Sequence, residues 1–219
     1  MPRPGLSQSR APGPIHGATR ADGLDAAPAV PAGAGDGKVG APDSPLGSQR
    51  STHVEGSAKS LEPANGKPLV LTVEQLARAR QVQNHVVLAA RRHRIDPNLL
   101  NGVIWTESKF NSRARNRSGA RGLMQLMPKT SRAMAKRLER RSRPYNPEFA
   151  IEAGSLLLSI LIEKFDGNEE LALFGYARGS GTVRAWQRRG DPMPEGVPTF
   201  IVKVRRAQAA FAAHGFPGQ

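Results

Sequence analysis

Residues 96–130 read DPNLLNGVIWTESKFNSRARNRSGARGLMQLMPKT, and the fold turns on how the first third of that stretch is arranged. Asp96-Pro97 is a helix start: an N-cap carboxylate followed by proline, whose missing N–H costs nothing at the first helical position. The helix predicted from there runs to about Ser108. At roughly 100° per residue, Leu100, Val103, Ile104 and Glu107 fall on one narrow stripe. An acid sits where the stripe calls for an apolar side chain. Spacing alone leaves two readings open. Glu107, near the helix end, points into solvent; or it is buried, and burial raises its pKa into the range a general acid needs.

Outward from this helix the pattern is helical in both directions. Upstream, Thr72 and Gln75 form a capping box. Val73, Leu76, Val82, Val86, Val87 and Ala90 then recur at helical spacing, predicting one helix that ends among Arg91, Arg92 and Arg94. Downstream, an irregular basic stretch gives way at Pro128 to a helix ending near Leu138. Asn146-Pro147 repeats the cap-plus-proline start for a strongly apolar helix carrying Ile151, Leu157, Leu158, Leu161, Ile162 and Phe165. Asn168 caps a helix over Leu171–Tyr176, a short helix carries Val183 and Trp186, and a last one spans about Thr199–Ala213. No strand-like alternation of useful length appears. The expected class is all-α, with at most a minor hairpin in the irregular stretch.

The chain divides by composition. Residues 1–60 hold ten Gly and eight Pro and no aromatic residue, too little apolar surface to offset the entropy of ordering a backbone. Residues 1–68 are therefore expected to be a disordered N-terminal region and residues 69–216 the folded domain. Of the net charge of +14, residues 1–60 carry +1 and the remainder +13. Such a basic domain fits a polyanionic partner, either nucleic acid or an acidic cell wall, or simply a solvated Arg-rich surface. The absence of cysteine excludes disulfides and thiolate metal sites. The N-terminus has no apolar core of a secretory signal, and no apolar run is long enough for a transmembrane segment.

Residues 107–130, ESKFNSRARNRSGARGLMQLMPKT, resemble the first motif of the lysozyme-like lytic transglycosylases. That motif has Glu-Ser, a Phe two residues on, then Gly-Ala-x-Gly-Leu-Met-Gln-x-Met-Pro-x-Thr. Residues 172–183, ALFGYARGSGTV, are similar to the family's later Ala-Tyr-Asn-Ala-Gly-x-Gly-x-Val motif, and Ile151 and Gly154 match an Ile-x-x-Gly pattern between the two. The resemblance covers about residues 75–210. It implies a lysozyme-like (goose-type) helical domain acting on a peptidoglycan glycan strand, with Glu107 as the single catalytic acid/base and no metal or other cofactor. It further implies Ser108, Asn116, Gln125, Met127 and Tyr176 as residues of the sugar cleft.

The reaction implied is cleavage between N-acetylmuramic acid and N-acetylglucosamine with closure of a 1,6-anhydro ring. A hydrolytic lysozyme on the same fold is the close rival, and a basic wall- or nucleic-acid-binding module the distant one; Arg113-Ala-Arg115-Asn-Arg117 lacks the interleaved aromatics of a nucleic-acid site, so no nucleic acid is expected. The place of action is then the periplasm or outside the cell. A secretion apparatus or phage structural proteins are the expected carriers for a chain that shows no Sec signal. Five positions depart from the family pattern: Asn116 for Ser, Leu157 for Tyr, Ala177 for Asn, Arg178 for Ala and Ser180 for Pro. Ala177 removes a polar side chain from the expected cleft and puts its hold on the glycan in question.

Overall fold

The computed structural model describes residues 68–216. The expected disordered region, apart from Pro68, lies outside the described residues. Eight helices are present among them: α1 (Val73–Arg80), α2 (Gln83–His93), α3 (Pro97–Ser108), α4 (Pro128–Arg137), α5 (Pro147–Lys164), α6 (Glu169–Arg178), α7 (Ser180–Arg189) and α8 (Val197–Ala213). The described residues contain no named strand, and the irregular stretch holds only two isolated antiparallel bridges, Arg115 to Arg121 and Arg121 to Leu126.

The helix starts reflect the side chains that make them. Thr72 and Gln75 form the reciprocal capping box. Asp96 accepts from the Asn98 amide at 2.9 Å, Asn146 from Phe149 at 2.9 Å and Asn168 from Leu171 at 2.9 Å. The exception is the first predicted helix, which the structure divides in two between Arg80 and Gln83. Val82 departs from helical geometry (φ −114°, ψ 1°). Gln83 then turns its side-chain amide back to the carbonyl of Ala79 at 3.0 Å and across to Asn101 of α3 at 3.0 Å. The break thus keeps its carbonyl satisfied and fastens α2 to the helix that carries Glu107. Its cost is that the apolar row does not continue through it: Val73 is 82 % exposed while Val86 is fully buried.

Helix α5 is central, burying Phe149, Ile151, Leu157, Leu158 and Leu161 between α2, α4 and α6. Its Gly154 lies under Met124, whose side-chain carbons stand 2.5–2.8 Å from where a Cβ would be. One buried acid crosses to α2: Glu152 Oε1 lies 2.8 Å from Arg92 Nη1 and 2.9 Å from His93 Nε2. Helix α3 packs along α8, and Gly102 is the point of closest approach. A Cβ there would sit 2.6 Å from the carbonyl oxygen of Val204. Phe110, Phe211 and Phe216 stack edge-to-face at 5.3 Å and close the end of the α3–α8 pair.

Because the obstacle at Gly102 is backbone rather than a movable side chain, Gly102→Ala must push α3 and α8 apart. We expect a loss of about 1–3 kcal/mol of unfolding free energy, read as a lower urea midpoint with unchanged slope.

Candidate active site

Glu107 lies in the last turn of α3. As a whole the residue is half-buried, but its Oε1 has no contact with solvent and no hydrogen-bond partner. Desolvation disfavours the charged carboxylate, and burial pushes its pKa from 4.5 up to about 8. Burial is the one cause of that shift: no neighbouring acid adds to it and no neighbouring cation opposes it. Four other carboxylates have partners of their own. Asp96 caps α3 and accepts from Gln208 Nε2 at 2.6 Å. Glu148 pairs with Arg140 at 2.9 Å, Glu152 with Arg92 and His93, and Glu169 with Arg205 at 2.7 Å.

The loop between α3 and α4 is fastened beside this carboxyl, and three expected cleft residues hold the loop's backbone. Ser108 Oγ approaches the carbonyl of Leu123 at 2.8 Å and that of Ile104 at 3.1 Å. Tyr176, fully buried on α6, donates its hydroxyl to the next carbonyl, Met124, at 2.7 Å. Gln125 is 4 % exposed and adopts a left-handed backbone (φ 45°). Its amide donates to the carbonyls of Gly122 at 2.8 Å and Ala114 at 3.2 Å. The polar atoms of Ser108, Gln125 and Tyr176 therefore serve the loop.

Asn116 is half-buried in the same loop, accepting from the Ala120 amide at 2.9 Å on its side chain, while its own amide donates to the Ala120 carbonyl at 3.2 Å. Met127 is half-buried and is the residue immediately before α4. Gly122 needs its freedom twice over: its φ is 75°, and a Cβ would collide with the carbonyl of Pro144. Ala177 is fully buried, so the missing Asn is a change inside the packing of α6 and not on an open wall. The Tyr176 phenol is held well above its usual pKa, first by burial and second by the charge of Glu107, which places the two groups within electrostatic reach.

Two features were not legible in the sequence. The fastening of the loop through consecutive carbonyls depends on backbone geometry, and its only trace in the sequence is the Gly119 and Gly122 pair. Lys109 Nζ lies 3.7 Å from the centre of the Trp105 ring, an i, i+4 cation–π contact at the mouth of α3.

Residues 86–192 match the Transglycosylase SLT domain family. Within the chain, these residues make up a Transglycosylase SLT domain. It is 36 % identical over 109 residues to peptidoglycan transglycosylase gp16 of Escherichia phage T7, covering 49 % of this chain and 8 % of that protein. Against the transglycosylase of Enterobacteria phage PRD1 the identity is 35 % over 106 residues, covering 48 % and 37 %. Against membrane-bound lytic murein transglycosylase C of Actinobacillus pleuropneumoniae it is 37 % over 94 residues, covering 40 % and 26 %. The chain thus spans well under half the length of each of these relatives. Among solved structures, the 70 kDa soluble lytic transglycosylase of Escherichia coli superposes with a TM-score of 0.56 at 21 % identity, over 61 % of this chain and 24 % of that one. The SLT domain here has that helical, lysozyme-like fold. No helix among its described residues is long and apolar enough to cross a membrane.

Tyr176→Phe leaves the Met124 carbonyl buried without its donor. The expected loss is about 1–3 kcal/mol, measured by chemical denaturation, with the helical circular dichroism of the folded state retained.

Proposed function

We propose that the SLT domain cleaves the β-1,4 bond between N-acetylmuramic acid and N-acetylglucosamine in peptidoglycan, without water, through Glu107 alone. The observation that carries this reading is the burial of the Glu107 carboxyl, whose Oε1 has no hydrogen-bond partner and whose pKa is held at about 8. A group so placed is protonated at neutral pH and gives its proton to the glycosidic oxygen as that bond breaks. The resulting carboxylate then draws the proton from the 6-hydroxyl of the muramyl residue as its oxygen closes on the anomeric carbon. The product has a 1,6-anhydro end, and Glu107 regains its proton for the next cycle. Glycosidases that use water place a second carboxyl across the bond. Here Asp96, Glu148, Glu152 and Glu169 are engaged in a cap and in ion pairs, which supports the one-carboxylate route.

In this scheme Ser108, Gln125 and Tyr176 act as positioning residues. They fix the loop against Glu107, while Asn116 and Met127 line the cleft's edge where the glycan lies. The names of the relatives support peptidoglycan as the substrate and action at the cell wall, in the periplasm or after secretion. Two of these relatives come from phages, which supports a phage particle or a secretion apparatus as the carrier.

Digestion of purified sacculi by the wild-type protein should release muropeptides with anhydro ends, identified by mass. Reducing ends in their place would assign hydrolysis, and no release at all would end the reading. Activity should hold through neutral pH and fall on an alkaline limb near pH 8, as the carboxyl loses the proton it must donate.

Glu107→Gln should abolish release and shift stability in a defined direction. The folded-state pKa lies above the ordinary value, so the folded protein holds this proton more tightly than the unfolded chain does. That contribution is complete below pH 4.5 and is lost as pH rises through about 8. The Gln variant has no carboxyl to ionise, so its Tm should gain on the wild type from about pH 5 upward and level off above about pH 8. A constant Tm difference across that range would show that Glu107 is not desolvated.

A further inference from the structure

The charge of the chain is concentrated around the cleft. Residues 108–147 contain twelve Lys and Arg and one acid, Glu139, a net of +11 out of the chain's +14. The fold brings the two halves of this segment together, because Gly122 of the loop lies against the Pro144 carbonyl in the connection between α4 and α5. Arg113, Arg115 and Arg117 are exposed on the loop. Helix α4 buries Thr130, Ser131, Met134 and Ala135, which turns Lys129, Arg132, Lys136 and Arg137 to solvent. Lys129, Arg132 and Lys136 fall at i, i+3 and i+7 and form one row. Among the described residues, Arg140 is the member of the segment with an acidic partner, Glu148 at 2.9 Å.

We infer that this face is a second binding surface, which holds the wall polymer outside the cleft through the carboxylates of its peptide stems. The inference rests on peptidoglycan being the substrate. Three observations select this occupant. The surface is cationic and almost free of compensating acids, so its partner is a polyanion. Its members lie on the loop that follows Glu107 and on α4, which starts directly after Met127, so a polymer held at Glu107 has these cations within the same segment of chain. The row on α4 is about 10 Å long at 1.5 Å per residue, so it meets several carboxylates along a chain and not one group. Each exposed pair contributes little alone; the effect depends on their number and is screened by salt over about 8 Å at physiological ionic strength.

The test measures binding without turnover. In the Glu107→Gln background, the protein should co-sediment with purified sacculi at low salt and be released as salt rises. Lys129→Gln, Arg132→Gln, Lys136→Gln and Arg137→Gln combined should bind about tenfold more weakly, with a shallower dependence on salt. The charge-retaining set, Lys129→Arg, Arg132→Lys, Lys136→Arg and Arg137→Lys, should bind like its parent, which separates charge from shape, and thermal melts confirm that both sets fold. Sacculi whose carboxylates have been amidated should hold the parent no better than intact sacculi hold the Gln set. Equal binding by the Gln set, or undiminished binding to amidated sacculi, would overturn the inference. So would a preference for phosphatidylglycerol vesicles or duplex DNA over sacculi. Failure of the underlying reading is seen separately, as no release of muropeptides by the wild type.

Discussion

Two hydroxyls holding two consecutive carbonyls are the constraint on which the site depends. Ser108 reaches the Leu123 carbonyl from α3, and Tyr176 reaches the Met124 carbonyl from α6. A loop of this length between two helices has many conformations, and fixing two adjacent peptide units from two different helices removes most of them. The neighbouring residues then have little choice. Gln125 is left in a left-handed backbone that costs a non-glycine residue energy, and its amide offsets that cost by bonding the carbonyls of Gly122 and Ala114. Met124 is directed down onto Gly154, where no side chain stands in its way. The loop is thereby fixed to the last turn of α3, the turn that carries the buried Glu107 carboxyl.

The same geometry explains how a neutral acid persists inside a strongly basic segment. Nearby cations would favour the carboxylate and lower its pKa. The Arg and Lys side chains of the loop and of α4 extend into solvent, where water and salt weaken their reach. The desolvation of Oε1 acts at the atom itself. Local burial therefore decides the protonation of Glu107, while the surrounding charge acts outward. One segment carries out two electrostatic tasks because its backbone faces inward and its long side chains face out.

Much of this was legible from residue types. The caps at Thr72, Asp96, Asn146 and Asn168 are local chemistry, since each side chain bonds an amide two or three residues away. That is why the starts of α1, α3, α5 and α6 can be read from the sequence. Glu107 was legible as an acid on an apolar stripe, and the motif around it identified the family. The break between α1 and α2 was not, because the partner of Gln83 is Asn101, eighteen residues away and on another helix. Nor was the inward role of Ser108, Gln125 and Tyr176. A hydroxyl or amide beside a buried acid suits a sugar as well as a carbonyl, and only the fold of the loop shows which carbonyls are waiting for a donor.

The departures from the family pattern gain a common meaning from the same geometry. Ala177 is fully buried, so its methyl completes the packing of α6 and leaves no empty place on the cleft wall. Arg178, next in the chain, donates to the Glu195 carbonyl at 3.0 Å and so ties the end of α6 to the loop before α8. Ser180, buried at the start of α7, accepts from Lys164 of α5 at 2.5 Å. Three neighbouring substitutions thus add one packed methyl and two ties between elements. Gly179, at φ 88° and ψ 142°, lets α6 and α7 meet without a linker between them. In this domain the second motif holds Tyr176 rigidly in place, and Tyr176 in turn holds Met124. The polar groups of this motif are thus engaged in fastening one element to another.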